Sequence, residues 1–155
     1  MDQLKFVVLD DEDLAVVSTH LQDAVLKVSD VLWRPQEKRL VVALNRFDWE
    51  SAQAADHPAY RRRRAALRFE RVLSCKCRQV DPAGKDAVLN LLAVEFSPTE
   101  APSGIVTLTF SGDAALRLEV ECLEAELADL GPTWTTACCP AHLDAEAEAP
   151  LSQSS

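Results

Sequence analysis

Glycine is scarce in this chain: its 155 residues contain only four. A loop that cradles phosphate with backbone amides needs several glycines close together, so no such loop can be read here. Histidine is equally sparse, and His20, His57 and His142 stand far apart. They form no pair at metal-binding spacing and accompany no nucleophilic serine motif, so no familiar hydrolase or metal constellation is present. Long apolar runs are missing as well. None approaches the ~20 residues needed to cross a bilayer. The apolar N-terminal run Leu4–Leu9, interrupted by Lys5, lacks the basic flank and the length of a secretory signal. These absences point to the cytoplasm and away from membranes. Five scattered cysteines, an odd number, agree, because they do not resemble a disulfide framework.

What is present is ordinary in amount and unusual in arrangement. With 48% hydrophobic and 26% charged residues the chain has the make-up of a soluble globular protein. Its length fits one domain, residues 1–135, followed by a tail. Beyond Thr136 the only large aliphatic residues are Leu143 and Leu151, and the run Asp144 to Pro150 reads as part of a disordered acidic tail over 136–155. Net charge is −9, yet residues 61–78 hold eight of the sixteen Lys and Arg, opposed only by Glu70. That stretch carries +7 while the remainder carries −16. An acidic whole argues against a sequence-blind nucleic-acid coat, whereas the basic segment attracts anions locally.

The apolar pattern alternates more often than it winds. Leu4, Phe6 and Val8 suggest a first strand, and Asp10 to Asp13 an N-cap with favourable charge for a helix from about Glu12 to Gln22 on Leu14, Val17 and Leu21. Val25 to Arg34, the turn at Pro35 to Lys38 and Arg39 to Trp49 form a first expected hairpin. A second pairs the stretch from Arg64 to Cys77 with Val88 to Phe96 across Asp81 to Lys85. A third joins Ile105–Phe110 to Ala115–Glu121 through Ser111-Gly112-Asp113, with Leu116, Leu118 and Val120 inward. Leu123, Leu127 and Leu130 fit a short closing helix ended by Gly131 and Pro132, although Leu123, Ala125 and Leu127 also fit a strand. Leu26-x-Val28-x-x-Val31-Leu32 is echoed by Leu67-x-Phe69-x-x-Val72-Leu73. The expected fold is α+β: a mainly antiparallel meander, barrel-like or two-layer, compatible in element order with a pleckstrin-homology-like barrel.

Candidate chemistry centres on arginine. Arg61, Arg62, Arg63, Arg64, Arg68 and Arg71 offer guanidinium forks suited to phosphate or carboxylate, and Tyr60 and Phe69 nearby can stack on bases. On a strand, however, neighbours point to opposite faces, and Asp48, Glu50, Asp56 or the acidic tail can neutralise the run internally. Both outcomes stay open. Cys75-Lys76-Cys77 with Cys138-Cys139 and His142 could assemble zinc ligands, but one-residue and zero-residue spacers suit structural zinc poorly, and plain thiols are the simpler account. Cys122 fits a core position, and Trp33, Trp49 and Trp134 fit core packing better than an aromatic cage.

The run from Phe110 through Ser-Gly-Asp-Ala-Ala-Leu-Arg-Leu-Glu-Val-Glu to Trp134, the opening Leu4–Leu14, and Arg61–Arg64 ahead of Leu67-Arg68-Phe69 together resemble an uncharacterised alphaproteobacterial family, domain of unknown function family 2948. The likeness covers residues 4 to 135 and implies a bacterial cytosolic origin, with no activity, ligand or catalytic residue to carry over. The functional expectation is a non-enzymatic binding or adaptor module, with no cofactor and no metal, whose basic strand Arg61–Arg78 meets RNA, a phosphorylated metabolite or an acidic protein surface. The alternatives are a hydrolase-like enzyme with an unfamiliar site and a cysteine-based metal or redox protein.

Overall fold

Strand β1 (Lys5–Val8) runs into Asp10, whose extended backbone and carboxylate, accepting from the Asp13 amide at 2.8 Å, cap helix α1 (Asp11–Leu21). The computed structural model describes residues 4–47, 61–130 and 134–135. Leu14, Val17 and Leu21 make the buried stripe of α1, which packs mainly on strand β7 and on β1. Asp23 leaves the helix at φ 66°, and β2 (Ala24–Lys27) follows. A 3-10 turn over Val28–Asp30 then breaks the extended chain before β3 (Val31–Arg34). A second such turn at Pro35–Glu37, with Lys38 left-handed at φ 54°, reverses it into β4 (Arg39–Phe47).

The remaining strands are β5 (Arg61–Phe69), β6 (Val72–Arg78), β7 (Val88–Pro98), β8 (Gly104–Phe110), β9 (Ala115–Val120), β10 (Ala125–Asp129) and β11 (Trp134–Thr135). All pairings are antiparallel, and the order is β1-β10-β5-β4-β2-β7-β8-β9-β6, with β3 added to β4 and β11 to β5. Among the described residues the path does not close on itself, because β1 and β6 end it. Alternate residues from most of the long strands nevertheless share one buried cluster, among them Leu40, Val42 and Leu44 of β4 and Leu116, Leu118 and Val120 of β9, whereas β6 gives it only Val72 as a buried residue. At Gly104 of β8 an added Cβ would lie 2.5 Å from the Phe96 ring and 2.7 Å from the Ser97 carbonyl oxygen, so no side chain fits there.

Two expectations need correction. Residues 123–130 form no helix: β10 occupies Ala125–Asp129 between β1 and β5, with Ala125, Leu127 and Asp129 buried at strand period. Both neighbours offer backbone partners along its whole length, and these outweigh a marginal helical preference. Likewise, the stretch from Arg64 to Cys77 does not pair with Val88–Phe96. Arg71, at φ 59°, bends it after Phe69, so that β5 stays with β4 and β10 while β6 crosses to β9. Backbone bonds from Glu70 N to Glu124 O, from Val72 N to Lys38 O and from Glu121 N to Arg71 O, all 2.9 Å, hold the bend. The helix from Asp11, the β3–β4 hairpin and the β8–β9 hairpin at Gly112 and Asp113, both at positive φ, match expectation.

Candidate functional site

Strand alternation divides the arginine run. Arg62, Arg64 and Arg68 lie on one face of β5 and Arg63 on the other, with Ala65, Leu67 and Phe69. Each has a local use. Arg62 Nη1 donates to the carbonyls of Asp23 and Asn45 at 3.3 and 3.4 Å, and its guanidinium sits 5.8 Å from the Phe47 ring centroid. Arg64 is buried, with Nη2 3.1 Å from Asp30 Oδ1 and Nη1 3.1 Å from Asn45 Oδ1. Arg68 reaches Glu70 at 2.8 Å and Glu126 at 2.9 Å. Arg71 approaches Glu124 at 3.4 Å and Glu121 at 3.5 Å. Arg63 lies 3.7 Å from Asp129. Arg61 pairs its backbone with Thr135.

Asp129 belongs to a buried ionic group that sequence reasoning missed. Arg46, fully buried on β4, donates through Nε and Nη2 to the two Asp129 oxygens at 3.0 and 3.1 Å. The Leu4 amide adds a 2.7 Å bond to the same carboxylate. A signal was available. Arg46 continues the buried phase of Leu40, Val42 and Leu44, and Asp129 continues that of Ala125 and Leu127. A fork held this way is structural.

The acids Asp48, Glu50 and Asp56, together with Tyr60, Trp49, His57, His142, Cys138, Cys139 and the tail, lie outside the described residues. Among the described residues no three His, Cys, Asp or Glu converge in a way that can hold a metal ion. Burial and the neighbouring Cys77 push the Cys75 thiol up to about 11, so it stays protonated at neutral pH and makes a poor nucleophile or metal ligand. No helix among the described residues is long and apolar enough to cross a membrane.

Positive charge without a carboxylate partner gathers further along the basic segment. Lys76 on β6 stands directly opposite Arg117 on β9, and both are exposed. Neither forms an ion pair among the described residues. Like charges in direct cross-strand register repel, so the fold gains nothing from this pair. Arg78 beside them donates Nε only to the Asp113 carbonyl, at 3.0 Å. With Ser97, Thr99 and Thr107 these three cations line an open depression of about 580 Å³. Guanidinium, ammonium and hydroxyl donors around one hollow can take an oxyanion.

A second hollow of about 490 Å³ lies on the opposite face of β6, lined by Cys75 and Cys77 rather than by Lys76 and Arg78. Strand alternation keeps Lys76 and Arg78 out of this second hollow, while Cys77 borders both.

Glu121 sits at the bend between these regions. The Lys38 ammonium, bonded to it at 3.0 Å, and then Arg71 hold its carboxyl below the usual carboxylate range. A depressed folded-state value means a contribution to stability that is present above the unfolded-state pKa of ~4.3 and lost as pH falls through the folded-state value. The denaturation midpoint of wild type is therefore expected to fall toward that of Glu121→Gln as pH drops below ~4, with the small separation of a solvent-exposed ion pair at pH 7. Equal separation at both pH values would refute the linkage.

No curated protein and no solved structure matches the chain. Residues 4–142 match the family model described as "Protein of unknown function (DUF2948)", and the chain belongs to that family.

Proposed function

We propose that the chain is a non-enzymatic binding module whose basic strand segment meets an anionic partner, with contact centred on Lys76, Arg78 and Arg117. The observation that carries this is the Lys76–Arg117 register pair, two like charges opposed across β6 and β9 with no acid in ion-pair range among the described residues. An arrangement that costs stability is explained by an oxyanion seated between the two cations. Ser97, Thr99 and Thr107 supply the hydroxyl donors such a group needs. Among the described residues no aromatic side chain lines the depression, so none of them offers a platform for base stacking there. A phosphorylated small molecule fits better than single-stranded RNA. The ion pairs of Arg63, Arg64, Arg68 and Arg71 make them supports of the strand. A pleckstrin-homology-like barrel plays no part in this reading, since fold alone carries no function.

The test uses the full chain and the double substitution Lys76→Ser with Arg117→Ser. Calorimetric titration with pyrophosphate and with poly(U) is expected to show binding of pyrophosphate by wild type and none by the variant. Removing the repulsion should also raise the variant's stability by about 0.2–1 kcal/mol. Equal pyrophosphate affinity in both proteins would overturn the proposal. Tighter binding of poly(U) than of pyrophosphate would overturn the choice of partner.

A further inference from the structure

The hollow on the inner side of β6 has a character unlike the basic depression. Its volume of about 490 Å³ falls in the range of small-molecule sites, and its walls are largely apolar. Val31 and Trp33 contribute from β3, Leu89 from β7, Leu116 from β9 and Cys75 from β6. Among the described residues Lys85 is the one charged side chain lining it, and no carboxylate does so. The backbone of Lys85 is fixed there, because its carbonyl accepts from the Ser29 amide at 3.0 Å. Lys85 forms no ion pair among the described residues. The Cys75 thiol is neutral and adds no charge to the walls.

These features define a ligand. Apolar walls of this extent take a hydrocarbon body, and one ammonium takes one anionic end. A phosphate monoester calls for two cations or a guanidinium fork, and neither lines the hollow. An inserted peptide strand is poorly served, because β6 carries a bulge between Val72 and Ser74 and β3 has only four residues. We infer that this hollow binds a free aliphatic monocarboxylate, with its chain against Trp33, Leu89 and Leu116 and its carboxylate on Lys85. The site borders the basic depression at Cys77 but shares none of its cations, and it does not depend on an anion binding there.

The probes are straight-chain carboxylates from hexanoate to dodecanoate and the alcohols of matching length, titrated calorimetrically into the full chain below their micellar concentrations. Affinity is expected to tighten about fourfold for each methylene until the hollow is filled. At equal length the carboxylate should bind at least tenfold more tightly than the alcohol. Lys85→Met, an exposed position, should keep the fold and the alcohol affinity while erasing that preference. Val31→Trp, which fills the hollow, should abolish binding of both probes. Sedimentation with phosphatidylglycerol vesicles should leave the protein in the supernatant. The inference is overturned if no probe binds, if Lys85→Met leaves the carboxylate preference unchanged, or if the protein sediments with vesicles.

Discussion

Asp129→Asn is expected to destabilise the domain by about 3–5 kcal/mol, the usual consequence of removing one partner from a buried ion pair. One carboxylate joins four segments: it accepts both arms of Arg46 from β4, lies 3.7 Å from Arg63 of β5, bonds the Leu4 amide at the entry to β1, and sits at the end of β10. Asparagine keeps the shape but loses the charge and turns an NH₂ toward guanidinium. For a domain of this size the melting temperature should fall by about 6–20 °C. Exchanging the pair together, Arg46→Met with Asp129→Leu, removes both desolvated charges and should cost less than Asp129→Asn alone. Thermal unfolding by circular dichroism decides the matter. A drop under about 2 °C for Asp129→Asn would show that the group contributes nothing to folding.

Phe69→Ala is expected to rank beside it, at about 3–5 kcal/mol. Phe69 is fully buried at the last position of β5, in register with Leu40 on β4 and with Ala125 on β10. Its ring stands over a small neighbour immediately before the Arg71 bend, where the chain leaves one group of strands for the other. Truncation empties that space, and the strands around it cannot easily close in, because backbone bonds on both sides hold the bend. Phe69→Leu should cost under about 1.5 kcal/mol. Urea denaturation of the three proteins, with unchanged slope, measures the difference. A loss below about 1 kcal/mol for the alanine variant would mean that the site collapses.

Local rules worked where the residues that set the structure were neighbours. The Asp10 cap, the β9 alternation and the Gly112 turn each lie within a few residues of what they determine. They failed where a distant strand made the choice. Leu123 to Leu130 suits two periods about equally, and only β1 and β5 on either side settle it as a strand. The partner of β6 was illegible for a related reason: a single left-handed arginine redirects the chain, and arginine carries no sequence signal for that conformation. The echo between Leu26–Leu32 and Leu67–Leu73 acquires a meaning. Both motifs are strands broken after two core residues, by the 3-10 turn at Val28–Asp30 and by the Arg71 bend. For the candidate site, the segregation of charge was plain, but its pairing was not. Arg68 meets its neighbour Glu70, but the other acids that meet Arg64, Arg63 and Arg68 are Asp30, Asp129 and Glu126, each more than 30 residues away in sequence. Arg117 joins Lys76 only through the β6–β9 pairing, which no spacing within one segment can announce.

Strand β1 has consequences for the order of events during synthesis. Among the described residues its only strand partner is β10, with Lys5 opposite Ala128 and Val8 opposite Ala125. Strand β1 therefore leaves the ribosome well before its partner and waits for it, and the ladder closes a loop of nearly the whole domain. Until then helix α1 is the native company that the chain near β1 can find early. Assembly of this domain is bound to be late and dominated by long-range contacts, so a nascent chain stalled before Ala125 offers a sticky end for chaperones to hold.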